Sequence, residues 1–566
     1  MTHSQMTDSL SVDMVGQIHN LDAVRGQLAV AETDVASVLH HAWRRWGVRM
    51  AEHLIGVFAL VIKDESQKLT YLARDALGVK PLFYRIDQGA LCYGWSVPEL
   101  VSRSSAQPLT KDIDWAAAYL LGLSFSQTDT AYREIKKLPA GHWMTLDARG
   151  QAVISRYHHW QDNPPMASRR DPRWVEAYRE VLEESIRCRI DPDAPIGTEN
   201  SGGIDSATIT AYLARLLGEP GDRLHSFGFA FAEQEPAYIL ETSQASNICH
   251  NYLITGRQQA VHTAAARGLA AFGYPVEHGN SISHTLFYEE CQRRGIRSLH
   301  SGFGGDEIVT NQGHHLRFEL LDQQQYAGLW NILPGNLLTR ALRLIKAVAF
   351  QPPRPAYNRS FFRAWNQRWP HQLLRPEVVQ RLQLYERYME TAIFDAPFRR
   401  INDWVLQYHL QRMQIAARFE SCTVVAARYG IDYRWPLFDA RLIQQYLSTP
   451  GIEKVGPNGM GRYLHRRAID GVVPHRVAWK PSKDMGYAQL ITRANAEGVA
   501  RLAESVQSLE EGLHPDLEAL VDHDKFKQQR AKAKQGAVDD AFGFAFRKSS
   551  SALLTLNAWW FSESGA

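Results

Sequence analysis

Two glycine-rich stretches of the sequence contain the residue types that bind phosphate groups. The first, Ser201–Ser206, reads Ser-Gly-Gly-Ile-Asp-Ser. Its two glycines let the backbone come close to a ligand, and successive N–H groups at the start of a helix attract an anion. Asp205 would repel a phosphate unless a cation lay between them. The stretch therefore predicts Mg²⁺, which is held by carboxylate and phosphate oxygens.

The second stretch, Ser301–Glu307, reads Ser-Gly-Phe-Gly-Gly-Asp-Glu and again carries an aspartate, Asp306. Both stretches follow a strand-like segment, and open α/β sheets bind ligands at the carboxyl ends of their strands. We therefore expect Asp205 and Asp306 to hold Mg²⁺ between them beside one nucleotide. The sequence contains no GxxxxGK[ST] motif, so P-loop transfer of a γ-phosphate is excluded.

The segments around these stretches alternate between strand-like and helix-like patterns. The predicted helices are 175–187, 206–217 and about 236–251, and the predicted strands are 194–199, 224–229, 252–254 and 298–300. Strands that alternate with helices predict a parallel sheet covered on both faces. From about Gly313 onward the pattern is mainly helical.

The first part of the chain is rich in strands instead. Val57–Ile62 and Leu69–Ala73 predict one hairpin, and Leu82–Tyr84 with Leu91–Tyr93 predicts a second pair of strands. A stretch rich in proline and charge separates the two halves. We therefore predict domains over 1–160 and 175–566, joined by a linker over 161–174.

Composition narrows the class of protein. With 45% hydrophobic and 22% charged residues in a chain of 566, mostly disordered proteins are excluded. A net charge of +3 gives no overall field that would gather nucleic acid or an anionic membrane. No apolar stretch predicts a signal peptide or a membrane span. Five scattered cysteines predict reduced thiols in a cytoplasmic protein.

One segment, Asn331–Pro370, has an unusual charge distribution. It contains no acidic residue and seven basic ones: Arg340, Arg343, Lys346, Arg354, Arg359, Arg363 and Arg368. Its first half, 337–350, predicts a basic amphipathic helix that Pro352 ends. Two interpretations stay open: a docking surface for an acidic partner or peptide, and a solvated helical face.

The glycine-rich stretches resemble those of a known superfamily. Ser201–Ser206 is similar to the pyrophosphate loop of N-type ATP pyrophosphatases, and Ser301–Glu307 to the second ATP-binding turn of the asparagine synthetase group. Further stretches that match this group, the last two in its glutaminase domain, are Gly430–Asp439, Gly461–Ala468, Pro474–Lys483, Gly56–Ala59 and Ala73–Tyr84. The resemblance covers nearly the whole chain.

This resemblance implies a two-domain fold of α/β and α+β class. The N-terminal domain would be a degenerate, glutaminase-like Ntn-hydrolase sandwich. The C-terminal domain would be a doubly wound parallel sheet of the adenine nucleotide α-hydrolase (PP-loop) type with a helical remainder. Glutamine-using relatives begin with a Cys nucleophile, whereas the first cysteine here is Cys92, and their Asn-Gly pair corresponds to Val15-Gly16. We therefore expect no glutaminase activity and a scaffolding role for this domain.

Phe303 suggests the subgroup. By this resemblance, the position of Phe303 corresponds to a Glu in asparagine synthetases. In β-lactam synthetases it corresponds to a Tyr that belongs to a base dyad. Phenylalanine transfers no proton, so it cannot deprotonate the attacking amine. A peptide α-amine, with a pKa of about 7.7–8.0, needs a base less than a lysine amine with a pKa of about 10.4, because it is already partly neutral near pH 7. The form of Ser301–Gly304 resembles that of lasso peptide macrolactam synthetases. The resemblance implies that ATP adenylates an Asp or Glu side chain of a core peptide, whose N-terminal amine then forms an isopeptide bond and releases AMP.

The resemblance also implies partners and a role for each site residue. Partners would be the precursor peptide, a leader peptidase and a leader-recognition protein, without nucleic acid or membrane insertion. The pyrophosphate would bind Ser201, Gly202, Gly203 and Ser206, the nucleotide Ser301 and Gly302, and Mg²⁺ Asp205 and Asp306.

Three residues are implied to act in catalysis: Lys483, Asp432 and Phe303. Lys483 would neutralise the phosphates and the carbonyl oxygen, with Lys480 as the neighbouring alternative in the motif. Asp432 would orient or deprotonate the amine, or else pair with Arg434. Phe303 would offer an apolar wall to a folded peptide.

Four other functions are weighed against this one. They are an ammonia-dependent ligase like asparagine synthetase, a β-lactam synthetase, a tRNA-modifying pyrophosphatase and a non-catalytic scaffold. Phe303 disfavours the β-lactam synthetase, and the near-neutral charge disfavours tRNA. The intact Asp205 and Asp306 disfavour the scaffold.

Overall fold

A computed structural model describes residues 2–6, 9–103, 108–124, 126–230, 234–254, 261–350, 363, 365–391, 398–411, 413–481, 498–536 and 539–562. The strands of the first half are β1 Thr2–Met6, β2 Leu10–Ile18, β3 Gly56–Asp64, β4 Leu69–Arg74, β5 Phe83–Asp87, β6 Ala90–Gly94, β7 Lys136–Lys137, β8 His142–Asp147 and β9 Ala152–Arg156. They form two antiparallel sheets, with the orders β1-β2-β3-β4-β8-β9 and β6-β5-β7. Both predicted strand pairs are confirmed, since β3 pairs with β4 and β5 with β6.

Strand β3 is buried on both of its faces. Phe58, Leu60 and Ile62 point into a core that the helices Leu21–Leu28 and Val35–Trp46 cover. The alternate residues Ala59 and Val61 point to the opposite face of the sheet. There they pack in a second core with Leu82, Tyr84 and Leu138. Because neither face meets water, the strand lacks polar alternation and its sequence is a continuous apolar run.

The second half contains one parallel sheet. Its strands are β10 Ile196–Glu199, β11 Leu224–Phe229, β12 His250–Ile254, β13 Ser298–His300 and β14 Asp432–Arg434, in the order β12-β11-β10-β13-β14. The chain runs outward from β10 to β12 and then returns to the other side of β10. The order therefore reverses between β10 and β13, and such a switch point is where open α/β sheets bind ligands.

Helices cover both faces of this sheet. Thr198 of β10 contacts Thr210 of the helix Ile204–Leu217 through their hydroxyls, 3.0 Å apart. The neighbouring Gly197 lies against Cys291 of the helix Thr285–Arg293 on the opposite face. The predicted parallel sheet with helices on both sides is thus confirmed.

The helices have the following bounds. In the first half they are Leu21–Leu28, Val35–Trp46, Val97–Ser102 and Ile113–Leu121, and in the second Pro172–Arg187, Ile204–Leu217, Glu235–Ala245, Val261–Phe272, Asn280–Ser283, Thr285–Arg293, Leu316–Asp322, Tyr326–Ile332, Leu337–Ala349, Pro376–Arg381, Leu384–Thr391, Ile401–Asp403, Met413–Ala427, Ala440–Ser448, Gly451–Lys454, Tyr463–Ala468, His475–Ala478, Pro515–Glu518, His523–Lys534 and Asp540–Phe561. Short 3₁₀ or π segments are Gly47–His53, Gly221–Arg223, Gly305–Val309, Trp369–His371, Trp404–Leu410, Pro436–Phe438, Pro457–Gly459 and Gln507–Glu510. None of the described helices is long and apolar enough to cross a bilayer.

Two helix boundaries differ from the prediction by three residues or more. The first helix of the second half begins at Pro172 rather than Val175, because Asp171 caps it by accepting a hydrogen bond from the Arg173 amide (3.0 Å). The helix predicted to reach Asn251 ends at Ala245. Asn247 adopts a left-handed φ of 51°, which reverses the chain into β12.

A buried network of charges joins the two halves. The ammonium of Lys137 in β7 lies 2.9 Å from carboxylate oxygens of both Glu277 and Glu420. Arg74 of β4 donates to the other oxygen of Glu420 at 2.8 Å. At most 3% of each of these four side chains is exposed. Buried charges are stable only when they are paired and hydrogen-bonded, so each half depends on the other for its counter-charges.

We predict that Lys137→Met lowers the free energy of unfolding by about 3–5 kcal/mol, because it leaves a buried carboxylate without its counter-charge. The matched control is Lys136→Met in the same strand, whose ion pair with Asp129 is 40% and 55% exposed. That change should cost less than about 1 kcal/mol. Chemical denaturation measures both, and equal effects would contradict the assignment.

Candidate functional site

The two glycine-rich stretches line one pocket at the carboxyl ends of β10, β11 and β13. The pocket has a volume of about 670 Å³. Eight of the predicted site residues line it: Ser201, Gly203, Asp205, Ser206, Ser301, Gly302, Phe303 and Asp306. The structure therefore brings together, at the switch point of the sheet, two segments about a hundred positions apart in the sequence.

The first loop is held by hydrogen bonds within itself. The Ser206 hydroxyl accepts from the Ser201 amide and lies within donating distance of the Gly203 carbonyl, both at 3.1 Å. Gly202 has a left-handed φ of 66°, and a Cβ there would lie 2.6 Å from Cβ of Tyr238. The helix Ile204–Leu217 begins directly after this turn and Ile204 lines the pocket. Its unpaired first N–H groups suit an anion.

The second loop packs directly on the first. A Cβ on Gly302 would lie 2.4 Å from the Ser206 amide nitrogen, and a Cβ on Gly305 would lie 2.2 Å from Cγ of Asp205. Glycine at 302 therefore lets the two backbones approach, and glycine at 305 leaves room for the Asp205 carboxylate. The contact fixes the position of each loop relative to the other.

Asp205 and Asp306 share one guanidinium group. Arg462 contacts Asp205 Oδ2 through Nη1 at 3.2 Å and Asp306 Oδ1 through Nη2. The other Asp205 oxygen accepts a hydrogen bond from the Thr310 hydroxyl at 2.6 Å. The sequence predicted that the two aspartates meet, but it assigned no role to Arg462. The only sequence feature that pointed to Arg462 was its position in the stretch Gly461–Ala468, which matches the asparagine synthetase group.

These two carboxylates fit a divalent cation. They come from adjacent loops, they line the pocket, and 13% and 28% of their side chains are exposed. Carboxylate oxygens are the ligands that Mg²⁺ prefers. In this structure the Arg462 guanidinium engages Asp205 Oδ2 and Asp306 Oδ1, so a metal ion would compete with it for these oxygens. Asp205 and Asp306 are thus the residues that would hold magnesium.

A lysine of the predicted motif also lines the pocket. Lys483 lies outside the described residues, whereas Lys480 donates from Nζ to the Gly202 carbonyl at 3.0 Å. Burial, together with the nearby Arg462 and Arg466, lowers the pKa of Lys480. Lys480 is therefore the cation of this motif that the structure places beside the first loop.

Asp432 lies in the edge strand β14, outside the lining of this pocket. Its carboxylate pairs with Lys80 of the first half at 2.7 Å and with Arg434 at 2.8 Å, and it does not line the pocket. Although burial acts to raise the pKa of Asp432, Lys80 and Arg434 hold it far below its ordinary value. Of the two interpretations, the structure shows the ion pair with Arg434, because two cations engage both carboxylate oxygens.

Phe303 forms part of the pocket wall. Its ring packs 5.1 Å from the ring of Phe438, and the guanidinium of Arg418 lies 3.4 Å from its centroid. The Arg418 guanidinium thus covers one face of the Phe303 ring and brings positive charge into the pocket wall, because Arg418 also lines the pocket. Gly304 is required beside it, since a Cβ there would lie 2.3 Å from the Phe438 ring.

A cluster that the sequence analysis missed lies at the pocket edge. Glu199 accepts a hydrogen bond from the Tyr433 hydroxyl, and Nδ1 of His284 lies 3.2 Å from Glu199 Oε1. Burial lowers the pKa of His284, although the Glu199 carboxylate acts to raise it. The carboxylate orients the ring and favours the proton on Nδ1. The only sequence signal was a charged residue, Glu199, at the end of a buried strand.

Comparison with known families matches both halves of the chain. A model described as asparagine synthase matches residues 177–560, and a glutamine amidotransferase domain model matches residues 3–158. This chain belongs to the asparagine synthase family.

Relatives of this asparagine synthase-family chain have low identity to it. Asparagine synthetase [glutamine-hydrolyzing] 3 of Bacillus subtilis is 24% identical, over 42% of this chain and 40% of the relative. Asparagine synthetase [glutamine-hydrolyzing] 1 of the same organism is 25% identical, over 82% of this chain and 73% of the relative. Amidase chry2 of Gibberella zeae is 22% identical over 52% and 46%. The chain thus spans less than half the length of the first and third of these relatives.

Solved structures give a weaker match. A glutamine phosphoribosylpyrophosphate amidotransferase from B. subtilis, complexed with ADP and GMP, aligns over 45% of this chain and 63% of that chain at 11% identity. The TM-score is 0.20, which is too low to support an inference.

We predict that Gly302→Ala destabilises this site, because its Cβ would meet the Ser206 amide at 2.4 Å. Overpacking of this kind typically lowers the free energy of unfolding by about 1–3 kcal/mol. Gly279→Ala is the control, since its Cβ would meet nothing within 4 Å. Thermal or chemical denaturation compares the two, and an unchanged stability of Gly302→Ala would show that the loops do not touch.

Proposed function

We propose that this chain is an ATP-dependent, AMP-forming macrolactam synthetase of the lasso peptide type. It would activate an Asp or Glu side chain of a core peptide and join it to the N-terminal amine of the same peptide. The observation that carries the proposal is the pocket in which both glycine-rich loops and the paired Asp205 and Asp306 meet. On this proposal the second half has the PP-loop fold and the first is a degenerate Ntn-hydrolase sandwich without glutaminase activity.

The first step would be adenylation. An oxygen of the substrate carboxylate attacks the α-phosphorus of ATP, and the bond from that phosphorus to the bridging oxygen breaks to release pyrophosphate. The amides and hydroxyls of Ser201–Ser206 would bind the departing pyrophosphate at the helix N-terminus. Lys480 and Arg462 add positive charge beside it. Magnesium held by Asp205 and Asp306 would neutralise phosphate charge.

The second step would be acyl transfer. The peptide amine attacks the acyl carbon, the carbon–oxygen bond to AMP breaks, and the amine releases its proton to solvent. An α-amine with a pKa of about 7.7–8.0 is partly neutral near pH 7, so a wall without a base at Phe303 suits it. Arg418 beside Phe303 would attract the carboxylate-bearing side chain.

The family favours one second candidate. Relatives named asparagine synthetases support an ammonia-dependent ligase that makes a free amide. That enzyme would consume ATP with aspartate and ammonia alone. The macrolactam synthetase would require a peptide.

The reaction itself gives the first test. With ATP, Mg²⁺, a candidate precursor and its leader peptidase, we expect the core peptide to lose one water while AMP and pyrophosphate form. Mass spectrometry and nucleotide chromatography measure both products. Formation of ADP, or of free asparagine from aspartate and ammonia without peptide, would refute the proposal.

Carboxylate variants give the second test. We expect Asp205→Asn and Asp306→Asn each to lower the rate of AMP formation at least about 100-fold, the scale of losing one electrostatic group at a reacting centre. Asp222→Asn is the control, because its side chain is 97% exposed and does not line the pocket. Circular dichroism checks that all three fold. Full activity of Asp306→Asn would remove it from the site.

A further inference from the structure

The helix Leu337–Ala349 exposes a continuous apolar surface. We name this surface the outer face: it comprises Leu337, Leu338, Leu342, Ile345, Val348 and the adjoining Phe350, whose exposed fractions range from 44% to 76%. Six large apolar side chains exposed within fourteen residues are unusual, because folded proteins normally bury such contiguous patches or use them for binding.

The opposite side of this helix fixes it to the protein. Leu344 and Ala347, one turn apart, pack against the main core of the second half. Arg340, which lies on the same side, donates to the Asn458 side chain at 2.9 Å, and Asn458 lines the pocket. Asn336 caps the helix by accepting from the Thr339 amide at 3.0 Å. The outer face is thus presented by a formed helix, and no folding step is needed to display it.

Charge limits what the outer face can bind. Exposed Arg343 and Lys346 lie along the edge of the outer face. The surrounding segment, Asn331–Pro370, contains no acidic residue at all. Two copies placed face to face would therefore bring like charges together. The occupant must be apolar where it meets the leucines and negatively charged at the edge.

We propose that the outer face binds the surface of an anionic membrane. A helix with aliphatic and aromatic residues on one side and Lys/Arg beside them is the arrangement that lies in the headgroup region of a bilayer. Thirteen residues are too few to span one, since spanning takes about 20. The apolar side chains are leucine, isoleucine, valine and phenylalanine without hydrogen-bonding groups. Protein interfaces are enriched in tyrosine, tryptophan, phenylalanine, methionine and arginine. Of these types the outer face contains only Phe350, so its mainly aliphatic composition favours lipid over a protein partner.

This proposal is compatible with a net charge of only +3. The overall field is weak, but attraction to a charged bilayer acts within a Debye length and depends on local basic residues. It stands independently of the proposed function. Through Arg340 and Asn458, it would also place the pocket rim beside the membrane.

Flotation of the full-length chain with lipid vesicles tests the proposal. We expect the protein to float with vesicles of equal parts phosphatidylcholine and phosphatidylglycerol, to stay behind with pure phosphatidylcholine, and to be released by high salt. Leu342→Glu combined with Ile345→Glu should abolish flotation. Because both residues are exposed, the melting temperature should not change.

Two charge-matched variants test whether vesicle binding depends on the basic residues beside the outer face or on basic residues anywhere on the protein. Arg343→Gln with Lys346→Gln should weaken binding at least about tenfold, since each basic residue at an anionic surface adds about 1 kcal/mol. Lys527→Gln with Lys534→Gln removes the same charge from exposed positions of the helix His523–Lys534 and should leave binding unchanged.

Three outcomes would overturn the proposal. They are no flotation of the wild-type chain, equal loss in both charge pairs, and flotation that survives Leu342→Glu with Ile345→Glu. Light scattering that shows a dimer dissolved by this last variant would assign the outer face to a second copy instead. Specific capture of an acidic protein by the outer face, without lipid binding, would assign it to a protein partner.

Discussion

The structure depends on charges that each half of the chain supplies to the other. Lys137 and Arg74 of the first half neutralise Glu277 and Glu420 of the second, and Lys80 neutralises Asp432 at the edge strand β14. A buried charge without its partner costs several kcal/mol, so separating the two halves would lower the stability of both. The first half thus supplies the cations that hold β14 and the helix Met413–Ala427 in place beside the pocket.

Within the second half, backbone contact between the two glycine-rich loops sets the geometry of the site. The loops follow the adjacent strands β10 and β13, and glycine at 302 and 305 lets them touch. This contact brings Asp205 and Asp306 to opposite sides of Arg462. The pocket wall then combines hydrogen-bond donors, several cations and the apolar ring of Phe303. A site of this kind suits an anionic nucleotide together with a substrate that is partly apolar.

Local patterns predicted much of this arrangement. The strands of the first half, the parallel sheet and the meeting of the two loops follow from apolar periodicity and from glycines after strands, which are signals within a few neighbouring residues. The distant partners of Asp432 and Asp205 were not predictable in the same way. Lys80 pairs with Asp432 from 352 positions away, and Arg462 reaches Asp205 across 257. Such pairings depend on how separate elements pack, and no local pattern records them. The Glu199–His284–Tyr433 cluster joins three elements and was invisible for the same reason.

The way in which the loops touch has a consequence for how this protein can diverge. The connection between β10 and β13 contains two strands of the sheet, β11 and β12, together with several helices. Exposed turns join these elements, and such turns can change in length without disturbing the loops. In the loops, by contrast, a single methyl group added at Gly302 would overlap the Ser206 amide. Related sequences should therefore differ more in these turns and in the helices that follow β13 than in the two glycine-rich loops.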